Sequence, residues 1–213
     1  MTLRDGRLPI YAFSPSGDVS RTPPRARPIT VYLHGMCGDP GNGCAHFRDG
    51  VVESSWLLCP SAPTPCTGGG AIWTGSSDDR AKVIGDAEQR LVARYADAVD
   101  VSPGSRVLVG FSQGAYLARD LLRSQPGRYR AVMFIGADVR PAAETLRAAG
   151  VRRAVFASGR FDGTRRALEN AAAALVQEGY AARFVDLGPV GHTYVPAREE
   201  PVLRDALAWL EED

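Results

Sequence analysis

The sequence predicts an α/β fold in which a mostly parallel central sheet is covered by helices on both faces. Two observations support this prediction. Short runs of apolar, often β-branched residues alternate along the 213-residue chain with longer segments of helical periodicity, the order expected of βαβ units. The strand-like runs are apolar at successive positions, which is typical of strands buried on both faces of a sheet. Since no internal repeat or linker interrupts this alternation, we expect one domain spanning residues 1–213.

The N-terminal part of the chain is predicted to contribute three strands and two loops. Residues 7–13 are predicted as an edge strand, and residues 29–33 and 56–59 as buried strands. Residues 14–28 are rich in proline, serine and arginine, and residues 36–50 are rich in glycine, cysteine and proline. Both of these segments are therefore predicted to be loops.

A long helix is predicted over residues 78–99, because apolar residues recur there every four positions. Those residues are Val83, Ala87, Leu91 and Tyr95. The residues that can cap its start are Ser76, Ser77 and Asp78. The remaining strands are predicted at residues 106–109, 131–135, 154–157 and 182–185. The remaining helices are predicted at residues 113–124, 141–149, 164–178 and 196–210, with proline or glycine at several of their ends.

Bulk composition excludes several classes of function. The net charge is +1 at pH 7, so no basic field predicts binding to nucleic acid. No apolar run approaches the length of a membrane span. The first ten residues alternate charged and apolar types and lack a signal-peptide core. We therefore expect the protein either to be cytosolic or to begin after a removed leader.

Four cysteines lie within one stretch of thirty residues, at Cys37, Cys44, Cys59 and Cys66. Their even number in glycine- and proline-rich sequence favours disulfides over reduced thiols, and their spacing is wider than the close pairs of zinc sites. We predict the local pairs Cys37–Cys44 and Cys59–Cys66, because consecutive pairing closes short loops; crossed pairing between the two loops stays open. Disulfides persist in oxidising compartments, so they would place the protein outside the cytoplasm.

The most specific motif is Gly110-Phe111-Ser112-Gln113-Gly114, which fits G-x-S-x-G. It stands between the predicted strand 106–109 and the predicted helix 113–124. A sharp strand-to-helix turn there would hold Ser112 in a strained conformation with its hydroxyl exposed. In this context the motif predicts a nucleophilic serine. The alternative is a glycine-bounded turn in which the serine only caps the helix.

A serine nucleophile needs a base and an orienting carboxylate. Of the three histidines, His34 ends a strand before the serine and His46 lies in the cysteine-rich segment. His192 follows the last predicted strand, so it is predicted to be the base. Two carboxylates, Asp138 and Asp162, follow strands between Ser112 and His192. Asp162 is preferred because glycines flank its loop, which suits a tight reactive turn.

Acyl transfer also needs hydrogen-bond donors for the developing oxyanion. The backbone N–H of Gln113, directly after the nucleophile, is predicted to be one donor. The loop after His34-Gly35 is predicted to supply the other, with Met36 the first candidate and Cys37 the second.

These residues resemble the phospholipase/carboxylesterase group of the α/β-hydrolase superfamily, which includes acyl-protein thioesterases. The motifs that carry the resemblance are His34-Gly35-Met36, the Ser112 pentapeptide, Asp162 and Gly191-His192. The resemblance supports Met36 as an oxyanion donor and implies that Trp73 lines the acyl pocket. The four cysteines depart from the cytosolic thioesterases, and the segment between residues 138 and 152 is too short for a large lid.

The predicted function is that of a serine esterase, a carboxylic-ester hydrolase that acts on a small-molecule ester without metal or cofactor. Ser112, Asp162 and His192 would form its catalytic triad. A peptidase or amidase with the same triad is the first alternative, because amide cleavage uses the same groups. A non-catalytic binding protein on a hydrolase scaffold is the second alternative.

Overall fold

A computed structural model of the chain describes residues 2–5, 8–16, 26–194 and 201–212. Ten strands occur in this part of the chain. They are β1 (Thr2–Asp5), β2 (Leu8–Phe13), β3 (Ile29–Leu33), β4 (Trp56–Pro60), β5 (Thr64–Pro65), β6 (Ala71–Ile72), β7 (Arg106–Phe111), β8 (Tyr129–Ile135), β9 (Arg153–Ser158) and β10 (Ala181–Asp186). Strands β5 and β6 form a separate two-stranded hairpin, and the other eight form one sheet in the order β1-β2-β4-β3-β7-β8-β9-β10.

The six strands from β4 to β10 in the sheet order are parallel to one another. Strand β2 is antiparallel to both of its neighbours, β1 and β4. This arrangement confirms the predicted α/β fold with a mostly parallel sheet. The prediction that β2 forms the edge was wrong, because the four-residue β1 pairs along its outer side. A segment as short as β1, with a charged residue at each of two positions, carries too little apolar pattern to be recognised as a strand.

Six helices accompany the strands in the described residues. They are α1 (Pro40–Val51), α2 (Ser77–Arg94), α3 (Gln113–Ser124), α4 (Ala143–Ala148), α5 (Arg165–Gln177) and α6 (Pro201–Glu211). Apolar residues of α2, α3, α4 and α5 belong to one buried cluster, and those of α1 and α6 belong to another. Neighbouring strand residues alternate between the two clusters; Val31 belongs to the first and Tyr32 to the second. The sheet is therefore covered by helices on both faces, as predicted.

Helix α1 occupies a segment that was predicted to be a loop. Its N-cap Asp39 accepts a hydrogen bond from the backbone N–H of Asn42 at 2.9 Å, and Pro40 stands in its first turn. A Cβ on Gly43 would lie 2.4 Å from the ring of Tyr32. Glycine at position 43 is thus required for close packing of the helix on the sheet, although glycines of this kind make the sequence resemble a loop.

The other predicted elements differ from the structure mainly at their ends. Helix α2 starts one residue before the predicted 78–99, with Ser76 as its N-cap, and ends earlier because the chain turns into a 3₁₀-helix at Ala96–Ala98. Helix α4 is also shorter than the predicted 141–149. The first residues of the predicted helix 196–210 and most of the predicted loop 14–28 lie outside the described residues. No helix in the described part of the chain has the length and apolar character needed to cross a membrane.

All four cysteines form disulfides, which confirms the prediction of two bridges, but the predicted local pairing was wrong. The bridges are Cys37–Cys66 and Cys44–Cys59. Helix α1 is the physical reason for the crossed pairing, because it turns Cys44 toward β4, where Cys59 lies; both cysteines are fully buried. Cys37 precedes this helix and is exposed, so that it meets Cys66 at the β5–β6 hairpin.

Candidate functional site

Ser112 lies on a sharp turn between β7 and α3. Its backbone has φ 52° and ψ −115°, a combination that is uncommon for any residue with a side chain. The turn is fixed from two sides, because the Ser112 N–H donates to the carbonyl of Ile135 at 2.8 Å and the Ser112 carbonyl accepts from Ala115 at 3.0 Å. Neighbouring contacts therefore hold Ser112 in a conformation that it would rarely adopt in a free chain.

The two glycines of the pentapeptide make this turn sterically possible. A Cβ on Gly110 would lie 2.4 Å from the carbonyl oxygen of Gly114, and a Cβ on Gly114 would lie 2.1 Å from that of Leu33. Either methyl group would force the start of α3 away from the sheet. The spacing of the motif is thus explained by close approach of helix, turn and strand.

The structure brings three of the predicted site residues into one hydrogen-bonded series. His192 Nε2 lies 3.0 Å from Ser112 Oγ, and His192 Nδ1 lies 2.9 Å from Asp162 Oδ2. A carboxylate only accepts hydrogen bonds, so Nδ1 carries the proton and Nε2 is left as an acceptor for the serine hydroxyl. The arrangement can withdraw a proton from Ser112 and stabilise the imidazolium that results.

The carboxylate of Asp162 is held firmly on its second oxygen as well. Asp162 Oδ1 accepts from the backbone N–H and from the hydroxyl of Thr164, each at 2.8 Å. Its side chain is only 2% exposed, whereas that of His192 is 50% exposed. Asp138, the other candidate, instead forms a surface ion pair with Arg140, whose guanidinium donates to both carboxylate oxygens at 2.7 and 2.9 Å.

An aromatic cluster supports the segment that carries His192. The ring of Phe111 packs on the imidazole with centroids 5.0 Å apart, and Tyr194 contacts Phe111 edge-on at 4.8 Å. The Tyr194 hydroxyl shares a hydrogen bond of 2.5 Å with that of Tyr32. Burial raises the pKa of both phenols, so that they stay neutral and place no second anion near the imidazole. His46 packs against the same Tyr194 ring with centroids 5.1 Å apart, and its Nδ1 lies 2.7 Å from the carbonyl oxygen of Asn42.

The two predicted oxyanion donors are Met36, in the loop after β3, and Gln113, the first residue of α3. A Cβ on Gly35 would lie 3.2 Å from the Cβ of Ser112, so the peptide that leads to Met36 passes close to the nucleophile. Within the described residues, no loop or turn carbonyl accepts a hydrogen bond from the backbone N–H of Met36 or Gln113. The Met36 side chain is 65% exposed. The backbone N–H is the only hydrogen-bond donor of this residue.

Sequence reasoning missed the structural role of His34. Its ring is buried, Nε2 accepts from the N–H of Ala62 at 3.0 Å, and Nδ1 lies 2.8 Å from the carbonyl of Gly35. Burial lowers the pKa of His34, which favours the neutral ring that both contacts require. A histidine at a strand end gives no signal in the sequence for such a role.

Trp73 lies beneath the His34–Gly38 loop. It is 3% exposed, and its indole N–H donates to the carbonyl of His34 at 3.0 Å. The prediction that Trp73 lines an acyl pocket stays a prediction. In the described part of the chain, histidine, cysteine, aspartate and glutamate side chains form no cluster suited to a metal ion.

The Cys37–Cys66 bridge adjoins the Met36 amide. Cys37 has φ 53°, a left-handed conformation that costs about 1–2 kcal/mol for a residue with a side chain. We expect the double substitution Cys37→Ala, Cys66→Ala to lower the free energy of unfolding by about 3–4 kcal/mol. It should also lower kcat for the ester hydrolysis that the sequence predicts by about 10-fold or more, because the loop with the Met36 amide loses its anchor. Equilibrium unfolding and steady-state kinetics measure the two effects.

The matched control is Cys44→Ala, Cys59→Ala, which removes the buried bridge between α1 and β4. We expect a loss of stability of about 3 kcal/mol for its 15-residue separation, with kcat near that of the wild type. Equal losses of kcat in the two double variants would contradict a specific effect of Cys37–Cys66 on the loop.

Comparison with known proteins identifies the fold. No protein-family model and no curated protein matches the chain. Three similar solved structures cover nearly the whole chain. They are esterase PE8 (22% identity, TM-score 0.68, covering 96% of this chain and 98% of that one), a carboxylesterase from Mesorhizobium loti (15%, 0.63, 100% and 99%) and S-formylglutathione hydrolase FrmB from Staphylococcus aureus (13%, 0.63, 96% and 93%). The chain therefore has the α/β-hydrolase fold.

Proposed function

We propose that the protein is a serine esterase in which Ser112 is the nucleophile, His192 the general base and Asp162 the orienting carboxylate. The single observation that carries this proposal is the continuous hydrogen-bonded series from Asp162 through His192 to Ser112, with links of 2.9 and 3.0 Å. A strained serine, an exposed imidazole and a buried carboxylate, hydrogen-bonded in this order, are typical of a catalytic triad. A surface ion pair or a helix cap does not need all three groups.

The reaction follows from the proton positions in this series. Ser112 Oγ attacks the acyl carbon while His192 Nε2 takes its proton, and the carbonyl oxygen becomes an oxyanion. The backbone N–H groups of Met36 and Gln113 donate to that oxyanion. Collapse of the tetrahedral intermediate expels the alcohol, which receives the proton from His192. Water, activated by the same imidazole, then attacks the acyl-enzyme and releases the acid.

An ester is the preferred substrate class. Two of the similar structures are described as an esterase and a carboxylesterase, and the third as an S-formylglutathione hydrolase. The segment between Asp138 and Arg152 contains only the six-residue α4, which favours an open site without a large lid. We infer that small soluble esters are hydrolysed in preference to long-chain triglycerides, by one domain that spans residues 1–213.

The two disulfides support a place of action outside the reducing cytoplasm. Cys37–Cys66 joins the loop after β3 to the β5–β6 hairpin and Cys44–Cys59 joins α1 to β4, and thiols of this kind stay reduced in the cytosol. We infer that the protein works in an oxidising compartment.

Two measurements test the proposed function. A fluorophosphonate probe is expected to label the native protein on the peptide that contains Ser112, and heat denaturation before labelling is expected to abolish the signal. Aryl esters of graded acyl length should then be cleaved with higher kcat/KM than emulsified triglyceride.

Three outcomes would contradict parts of this proposal. Absence of labelling and of turnover would favour a binding protein. Higher kcat/KM on peptide amides than on esters would favour a peptidase. Strong activation at a triglyceride interface would exclude an open, lidless site.

A further inference from the structure

The side chain of Gln113 forms a reciprocal pair of hydrogen bonds with the backbone of Trp73. Gln113 Oε1 accepts from the Trp73 N–H at 3.1 Å, and Gln113 Nε2 donates to the Trp73 carbonyl at 3.1 Å. Because the Trp73 N–H can only donate and its carbonyl can only accept, the carboxamide has one orientation. The first residue of α3 is thus tied to the residue that directly follows β6.

The same segment holds the other predicted oxyanion loop at two points. The Trp73 indole N–H donates to the carbonyl of His34 at 3.0 Å, and the Ala71 N–H donates to the carbonyl of Gly38 at 3.0 Å. Met36 lies midway between His34 and Gly38. The segment therefore fixes the Met36 loop on both sides of the amide without contacting that amide.

We propose that residues 71–73, together with the Gln113 carboxamide, form a brace that sets the distance between the two oxyanion donors. These donors come from separate parts of the chain: the Met36 amide follows β3, and the Gln113 amide begins α3. The brace connects them through Gln113, Trp73 and His34. Trp73 and the Gln113 side chain are positioning residues in this proposal, which rests on the proposed esterase function.

The position of the brace predicts which kinetic constant it controls. Donors aimed at an oxyanion act on the transition state far more than on the bound ester, because charge develops on the oxygen only during attack. A brace that moves these donors should therefore affect kcat and leave KM nearly unchanged. A residue with only a structural role would instead reduce the fraction of folded, active enzyme.

Trp73→Phe is the first test, and Trp56→Phe is its matched control. Both tryptophans are buried, and both donate an indole N–H to a backbone carbonyl, Trp73 to His34 at 3.0 Å and Trp56 to Ala98 at 2.9 Å. The two substitutions should lower the thermal unfolding temperature similarly. Only Trp73→Phe is expected to lower kcat, by about 10- to 100-fold, as displacement of a positioned group does.

Gln113→Met is the second test, since it removes both carboxamide hydrogen bonds while it keeps the length of the side chain and the backbone N–H. The exposed Gln177 in α5 offers the control Gln177→Met. We expect kcat to fall by about 10- to 100-fold in Gln113→Met alone. Affinity for an alkyl boronic acid, which forms a tetrahedral adduct with the serine, should fall by a similar factor. Active-site titration by the acyl-enzyme burst corrects each rate for the folded fraction.

The results separate this proposal from the proposed function. The brace would be overturned if the wild type is active and both Trp73→Phe and Gln113→Met keep its kcat. It would also be overturned if Trp56→Phe lost as much kcat as Trp73→Phe. If Trp73→Phe does not fold, Gln113→Met alone decides by the same criterion. A wild type without any ester turnover would overturn the proposed function instead.

Discussion

Replacing Ser112 with alanine is expected to lower kcat for ester hydrolysis by about 10⁴- to 10⁶-fold, because the acyl-enzyme can no longer form. His192→Ala should cause a loss of similar size, and the double substitution should add little to either single one. Such non-additivity is expected when two groups perform one proton transfer as a unit. Steady-state rates on an activated aryl ester, with the background hydrolysis subtracted, measure these effects.

The conformation of Ser112 provides a control that separates chemistry from folding. At φ 52° and ψ −115°, alanine keeps the backbone strain of serine, whereas glycine relieves it. We therefore expect Ser112→Gly to be as inactive as Ser112→Ala but to have the higher free energy of unfolding, by about 1 kcal/mol. Retention of most ester turnover in either variant would exclude Ser112 as the nucleophile.

The Ser112 turn could be predicted because its physical requirements are local. Gly110 and Gly114 are required by backbone contacts within a few residues of the serine and with the neighbouring strand. Helix α3 spans the same residues, 113–124, that were predicted, with Pro126-Gly127 following its end. With only three histidines in the chain, elimination by strand position could select His192, which the structure places within hydrogen-bonding distance of Ser112.

The disulfide pairing could not be predicted because it depends on helix α1, whose residues were predicted to form a loop. Helix α1 carries Gly41 and Gly43, which allow it to pack on Tyr11 and Tyr32, and those glycines favour a loop prediction. Once α1 is a helix, Cys44 faces β4 and cannot reach Cys37. The disulfide pairing thus depends on how a helix packs on the sheet. The spacing of the cysteines along the sequence contains no information about that packing.

The brace could not be predicted from the sequence either. The Gln113 carboxamide contacts the backbone of Trp73, forty residues earlier in the chain, so no motif is required of the residue it binds. The pairing of β3 with β7 places the His34 loop beside the start of α3, and Trp73 hydrogen-bonds to both segments. The predicted contribution of Gln113 was its backbone amide alone, and its side chain became relevant only with the tertiary structure.

The largest effect expected after that of Ser112 concerns Asp162. Asp162→Asn should lower kcat by about 10²- to 10⁴-fold while the protein stays folded. Thr164 supplies the reason, because its N–H and its hydroxyl both donate to Asp162 Oδ1 at 2.8 Å. Those two donors would hold the oxygen of an asparagine on the Thr164 side, which leaves its NH₂ group facing His192 Nδ1.

An NH₂ group at that position would invert the histidine tautomer. Nδ1 would have to accept, so the proton would move to Nε2, and Nε2 could no longer take the proton of Ser112. The matched control is Asp138→Asn, which removes a charge from a surface ion pair with Arg140 and is expected to leave kcat within about two-fold of the wild type, as surface substitutions do. Circular dichroism and active-site titration verify that both variants are folded. The reverse ranking, with Asp138→Asn the less active protein, would show that Asp162 is not the carboxylate that orients His192.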